Sequence, residues 1–346
     1  MRCCTIILWR LQNRPPPKKI LITIVLFALV CASFKLIFSN WTYIKMHFII
    51  IHVYLNKCAG QPLKTNLSLL QCPFPHVDSI TIRGNQSEPI LVTFANKAWL
   101  NITKNWIYHV NNLPYQNKLI VSLTDGMCNE LEDVYCWYPN ITQSSQKNVY
   151  NPTGEGTWGN SIYRRLIKNR TPIIYSILKC NRSIIVTDND VVFLRDPANY
   201  LQQLATPSGP GKTSAYDIIF QKDSTGLGSL DWLGERGWFG NFYICMGFTY
   251  IRPTPASFQF LEGIMAYQEL DWNDQAAANT CLLYHTRLKL RWRTLPSFQF
   301  PNGRLLRHGI WKERTSLRPY IYHFNWMGNI KSKVYAMKKA GVWQIG

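Results

Sequence analysis

From Pro89 onward, short apolar runs alternate with stretches whose apolar residues recur at helical spacing. Ile90–Phe94, Lys118–Leu123, Ser183–Thr187, Tyr216–Phe220 and Tyr243–Ile251 read as strands, the last ended by Pro253. Continuous apolar runs of this length suit strands covered on both faces. Between them, Trp99, Ile102, Trp106 and Ile107 mark a helix within Asn96–Val110. Ser161–Leu178, Ser257–Tyr267 and Asp274–Tyr284 read as further helices, and residues 139–160, rich in Asn, Ser, Thr and Gly, as a loop. Strands alternating with helices predict an α/β fold, a single Rossmann-like domain over residues 88–346 with a largely parallel central sheet.

Another pattern governs the N-terminal part. Ile20–Phe38 is apolar except for Thr23, Ser33 and Lys35. At ~1.5 Å per residue such a helix reaches about 28 Å, close to a bilayer core. Arg2, Arg10, Arg14, Lys18 and Lys19 precede it, which favours a cytoplasmic N-terminus. The sequence thus predicts a cytoplasmic tail (1–19), a transmembrane signal-anchor (20–38), a stem (39–87) and a translocated domain (88–346). A cleaved signal peptide is the rival, but no small-x-small cleavage site follows the run. Met46–Leu55 is too short to span.

Charge first suggests nucleic acid, because the chain carries a formal +19. The excess sits at the ends. Residues 1–45 hold seven basic and no acidic side chains, residues 46–285 hold 18 of each, and residues 286–346 hold 13 basic against Glu313. A neutral middle and a lumenal placement argue against nucleic-acid binding. Seven Asn-x-Ser/Thr sequons, at Asn40, Asn66, Asn85, Asn101, Asn140, Asn169 and Asn181, fit a secretory route. So do the cysteines after the anchor, among which Cys58/Cys72 and Cys128/Cys136 are candidate local bridges. No CxxC pair suggests zinc.

Candidate chemistry concentrates in three places. Asp188 and Asp190 follow the apolar strand Ser183–Thr187, at the strand end where open α/β sheets bind ligands. On an extended chain both would project to one side and could hold one hard cation, Mg²⁺ or Mn²⁺, together with phosphate oxygens. Near the C-terminus, His323 ends an apolar run and is followed by Gly328 and Lys331. A neutral imidazole can complete a metal shell, glycine admits a diphosphate close to the backbone, and lysine supplies charge at a leaving oxygen. Asn273-Asp274-Gln275 with Asn279 is either a helix cap or a site. Arg287, Arg291, Arg293, Arg304 and Arg307 are unassigned, facing either an anionic acceptor or solvent.

Taken in order, Thr187-Asp-Asn-Asp-Val-Val-Phe-Leu-Arg-Asp-Pro197, Gly247-Phe-Thr-Tyr-Ile-Arg-Pro-Thr254, Asn273-Asp-Gln275 and His323-Phe-Asn-Trp…Gly328…Lys331…Gly341-Val-Trp343 resemble the nucleotide-diphospho-sugar transferase family. That family includes plant rhamnogalacturonan-II xylosyltransferases and extensin arabinosyltransferases, and the likeness covers about residues 88–345. The resemblance implies a GT-A-like fold and metal-dependent transfer from a nucleotide-sugar, a UDP-sugar first, to a glycan or glycoprotein hydroxyl, with retention. It implies Asp188, Asp190 and His323 as metal ligands and Gly328 and Lys331 against the diphosphate. Asp274 and Gln275 would face the donor sugar and reacting carbon, and Thr93, Phe94 and Asn96, after the first strand, would lie near the base. With the anchor, it implies a single-pass type II protein of the Golgi or ER membrane. One departure is Cys245-Met246 before Gly247, where relatives often have Asn and a small residue.

Two rivals follow. A haloacid-dehalogenase-type phosphatase also opens with a strand and Asp-x-Asp, but its fold begins near that motif and needs a later acidic pair. A lumenal sugar-binding relative without activity is kept open by Cys245-Met246.

Overall fold

The computed structural model describes Cys72 and residues 88–114, 116–139, 154, 156, 161–206, 215–223, 243–269, 272–284, 289–307 and 318–346. The expected tail, anchor and most of the stem lie outside these residues. No helix among the described residues is long and apolar enough to cross a membrane.

Seven strands form one sheet: β1 (Ile90–Ala95), β2 (Lys118–Ser122), β3 (Tyr135–Trp137), β4 (Ile184–Asp188), β6 (Ile218–Lys222), β7 (Ile244–Ile251) and β8 (Trp292–Thr294). Their order across the sheet is β3-β2-β1-β4-β7-β6-β8. The pairs β3–β2, β2–β1, β1–β4 and β6–β8 are parallel, and only β7 runs against its two neighbours. This meets the α/β expectation of a largely parallel sheet. The central strands are apolar because both faces are covered: Leu91, Val92, Ile184, Ile185, Val186, Ile218 and Ile219 are fully buried. Opposed β7 leaves β1, β4 and β6 running the same way, so their C-terminal ends share one rim.

The helices are α1 (Leu100–Asn111), α2 (Ser161–Leu178), α3 (Ala198–Ala205), α4 (Pro255–Gln268), α5 (Asp274–Tyr284), α6 (Gly303–Arg307) and α7 (Ile330–Lys339). Thr254 caps α4 by accepting from the Ser257 N–H, with Pro255 in the first turn. The expected helix over Asn96–Val110 proves to be a short 3₁₀ turn, Lys97–Trp99, leading into α1. The strand expected over Tyr216–Phe220 lies two residues further on: Tyr216 precedes β6, which runs on to Lys222.

A small second sheet pairs β5 (Val191–Phe193) antiparallel with β9 (Ile321–His323). Its register sets Val191 opposite His323. The C-terminal segment then packs on α1, where Asn105 Nδ2 donates to the Val342 carbonyl and Phe324, Met337 and Val342 join Ile102 in a core.

Of the candidate bridges, Cys128–Cys136 forms. Cys72 pairs with Cys180, 108 positions away, and not with Cys58. Neighbourhood in sequence suggested the wrong partner, because the fold carries the end of α2 to Cys72.

Candidate active site

β4 ends at Asp188, and the chain then turns sharply through Asn189 and Asp190 into β5. The two aspartates therefore do not converge by strand alternation, as expected, but by a turn. β9 brings the third group. Because Val191 pairs with His323, and the Phe324 N–H donates to the Asp190 carbonyl at 3.1 Å, the imidazole lies beside both carboxylates. His323 Nε2 is 3.3 Å from Asp190 Oδ1 and 3.6 Å from Asp188 Oδ2. The three groups offer ligand atoms within 4.8 Å of one another.

The tautomer of His323 is fixed from behind. Gln221 Nε2 donates to the Phe300 and Pro301 carbonyls, which leaves its Oε1 to accept from His323 Nδ1 at 2.6 Å. Nδ1 thus holds one proton, and Nε2 faces the aspartates, where it can carry a second proton or give its lone pair to a cation. Both His323 Nε2 and Asp190 Oδ1 are buried without a hydrogen bond. Gly247 clears the space: a Cβ there would stand 2.4 Å from Asp188 Oδ2 and 2.5 Å from His323 Cε1. Two orphaned buried donor atoms, an oxygen-rich set and a missing Cβ fit a hard divalent cation. Asp188, with its side chain 37% exposed against 3% for Asp190, opens the cluster to solvent.

Electrostatics agree. Burial alone would lower the His323 pKa, but the negative charge of Asp190, with Asp188 beside it, raises it well above 6.5. Burial would raise Asp190, yet Lys333 and His323 hold it far below the usual carboxylate range. The proton that these carboxylates draw to Nε2 is one that a cation would replace.

Arg170, on α2, is a charge that the sequence reading missed. It is almost wholly buried, donates to Asp188 Oδ1 at 2.8 Å, and places Nε 3.7 Å from Asp274 Oδ2. A signal existed: Arg170 shares the helical face of Leu166, Ile173 and Ile177, all buried, where a charge is out of place unless partnered. Asp274 opens α5, and its pKa rises to about 6 because burial outweighs Arg170, with Asp188 pushing the same way as burial. Its neighbour Gln275 is clamped, donating to Asp223 Oδ2 at 3.0 Å and accepting from the Met246 N–H. Asn273 caps the helix through the Ala276 N–H, and Asn279 spans the Ile244 N–H and carbonyl, so these two are structural.

Asp223, the residue after β6, was missed as well. Buried, it accepts from Gln275, Asn325 and Trp326. Burial raises its pKa against those three donors.

Several expected residues sit elsewhere. Lys331 is exposed in the first turn of α7, and Lys333 is the lysine that reaches Asp190 Oδ2. Gly328 is exposed at φ +71° in the turn before α7, where a left-handed residue is needed. Thr93 and Phe94 lie within β1 and not after it. Thr93 is fully buried and gives its hydroxyl proton to the Thr187 carbonyl, so it braces the sheet. Phe94 is in register with Asp188 and lies under the Arg170 guanidinium, and Asn96 donates to the Gly154 carbonyl at the rim. Cys245 and Met246 are buried, and the Cys245 thiol is 3.9 Å from His323 Nδ1, beside the aspartate–histidine cluster.

Among known proteins, the chain is similar to UDP-D-xylose:L-fucose alpha-1,3-D-xylosyltransferase 3 of Arabidopsis thaliana, at 21% identity over 75% of this chain and 67% of that protein. It is also similar to Arabinosyltransferase RRA2 of Arabidopsis thaliana, at 25% identity over 72% of this chain and 59% of that protein. Among solved structures, mouse xyloside xylosyltransferase 1 in its apo form aligns with a TM-score of 0.41 and 14% identity, over 69% of this chain and 98% of that one. The family model for nucleotide-diphospho-sugar transferases matches residues 116–337, more than half of the sequence, and the chain belongs to that family of glycosyltransferases.

Proposed function

We propose that this chain transfers a sugar from a nucleotide-diphosphate donor, a UDP-sugar, to a hydroxyl of a glycan or glycoprotein, with retention and with a divalent cation at Asp188, Asp190 and His323. The observation that carries this reading is that His323 Nε2 and Asp190 Oδ1 face each other buried and without a hydrogen bond, beside part-exposed Asp188. A cation held there supplies Lewis-acid charge for the departing diphosphate.

The chain's own groups account for the rest. Lys333, in place of Lys331, adds positive charge at the diphosphate end of the site. Asp274, ionised above about pH 6, faces the developing positive charge at the anomeric carbon, with Arg170 holding it beside Asp188. Gln275, fixed by Asp223 and the Met246 N–H, orients the donor sugar. The acceptor oxygen forms the new bond to the anomeric carbon on the face that the diphosphate vacates. The old carbon–oxygen bond breaks, and the acceptor proton passes to the departing phosphate oxygen.

The relatives named for xylosyl and arabinosyl transfer make UDP-xylose and UDP-arabinose the first donors to try. Full-length protein with Mn²⁺ and a panel of UDP- and GDP-sugars tests the reading through nucleotide release. Turnover that is lost in Asp188→Ala and Asp190→Ala supports it. Undiminished turnover in those variants would refute the metal site. UDP binding without any sugar release would favour a sugar-binding relative.

We also propose that residues 20–38 anchor the protein with its catalytic region in the Golgi or ER lumen. The Cys72–Cys180 and Cys128–Cys136 bridges suit an oxidising compartment. A cell-surface-impermeant protease digesting only detergent-opened microsomes would support that orientation, whereas digestion of sealed microsomes would reverse it.

A further inference from the structure

Trp326 is the most conspicuous side chain near the site without a role in it. It is 49% exposed, the largest exposed apolar side chain among the described residues, and it stands at φ +60°. A bulky residue in the left-handed region is uncommon and persists only where its surroundings over-determine it. Here they do. The indole Nε1 donates to Asp223 Oδ1 at 2.9 Å, and Arg304 lays its guanidinium 5.4 Å from the ring centroid. Arg307 donates to the Trp326 carbonyl. The preceding residue is pinned too: Asn325 Oδ1 accepts from the Gly303 N–H at 2.6 Å, and a Cβ at Gly303 would meet the Asn325 carbonyl oxygen at 1.6 Å.

The ring is therefore presented rigidly, and its place is telling. Asp223 accepts from the indole on one oxygen and from Gln275 on the other, so a single carboxylate separates Trp326 from the residue assigned to the donor sugar. An exposed, immobilised aromatic face one side chain from the reacting centre suits the apolar C–H face of a pyranose ring, and the polar rim around it suits that sugar's hydroxyls.

We propose that Trp326 is the acceptor subsite, a stacking platform for the sugar that receives the transferred residue, with Arg304 and Arg307 as positioning residues that hold the indole and its backbone. The inference rests on the transferase reading and names the acceptor side of that site. It also gives two of the C-terminal arginines a task.

The test uses full-length protein, Mn²⁺, the UDP-sugar that the wild type turns over, and methyl α-L-fucoside and methyl β-D-galactoside as acceptor probes. Trp326→Ala and Trp326→Leu are expected to raise the acceptor KM on the order of tenfold while the donor KM keeps its wild-type value. Trp326→Tyr, which keeps a stacking face, is expected to recover most of the loss. Trp326→Leu preserves apolar bulk, so it separates stacking from any folding defect in Trp326→Ala. An unchanged acceptor KM in Trp326→Leu, or donor and acceptor KM rising together, would overturn the platform while leaving the transferase reading in place. A wild type that releases no nucleotide from any donor would instead remove the transferase reading, and the platform with it.

Discussion

Gly247 shows how narrow the tolerance is at the level of one atom. Its missing Cβ is the space that Asp188 and His323 occupy, so Gly247→Ala must push one of them aside. The expected result is a loss of Mn²⁺ affinity and of turnover on the order of a hundredfold, the scale on which a misplaced ligand acts. Titration calorimetry with Mn²⁺ checks it, and unaltered affinity would show that the carboxylates are free to shift. Asp274 carries a pH signature. Its folded pKa of about 6 lies above the ordinary 3.8, so the folded chain binds the proton more tightly than the unfolded chain does. The ionised group costs stability above about pH 6, and the cost vanishes below about pH 4, where both states are protonated. Asp274→Asn should then raise the thermal midpoint near pH 7, by up to roughly 3 kcal/mol of stability, with the gain closing toward pH 4. Transfer activity should fall in the same variant. A midpoint lowered equally at both pH values would contradict the burial argument.

The elements set the two lysines of α7 apart. Asn329 caps α7 by accepting from the Ser332 N–H, which fixes the phase of the helix. Two residues turn a helix by about 200°, so Lys331 and Lys333 face opposite ways and only Lys333 reaches Asp190. Motif spacing alone does not carry that phase. Replacing Lys333 by alanine should weaken UDP-sugar binding on the order of tenfold, and Lys331→Ala should leave it nearly unchanged. Equal losses would restore Lys331 to the site. The central strands were legible because burial on both faces demands unbroken apolar runs, and so was Asp188 at the end of one. The β5–β9 register was not legible, because three-residue strands of Val, Ile and Phe carry no pairing code. Arg170 had a signal in its helical face, yet it and Asp223 each needed a partner from a distant element to acquire meaning.

At the scale of the whole molecule, long-range ties hold the fold together. The Cys72–Cys180 bridge fastens the segment before β1 to the end of α2, the helix that carries Arg170. Cys72→Ser with Cys180→Ser should lower stability by about 2–4 kcal/mol, read as a lower denaturation midpoint. An unchanged midpoint would mean that the segment adds no constraint. Of the five basic residues that the sequence left without a task, four fall among the described residues and all four are engaged. Arg291 pairs with buried Asp217, Arg293 lies over Tyr216, and Arg304 and Arg307 hold Trp326. Their engagement lowers the case for a free basic surface. Mass action adds a global readout: UDP with Mn²⁺ should raise the thermal midpoint of the wild type, and a chelator should cancel the rise.

The pairing of β5 with β9 has a consequence for biosynthesis. Lys333 and Asp190 meet across 143 positions of chain, and β9 lies close to the C-terminus. A nascent polypeptide that has completed its whole main sheet still lacks His323 and Lys333, the two groups that meet Asp190. Assembly of the aspartate–histidine cluster thus waits for β9, and a ribosome stalled before Ile321 releases a product with every strand of the main sheet but without that cluster.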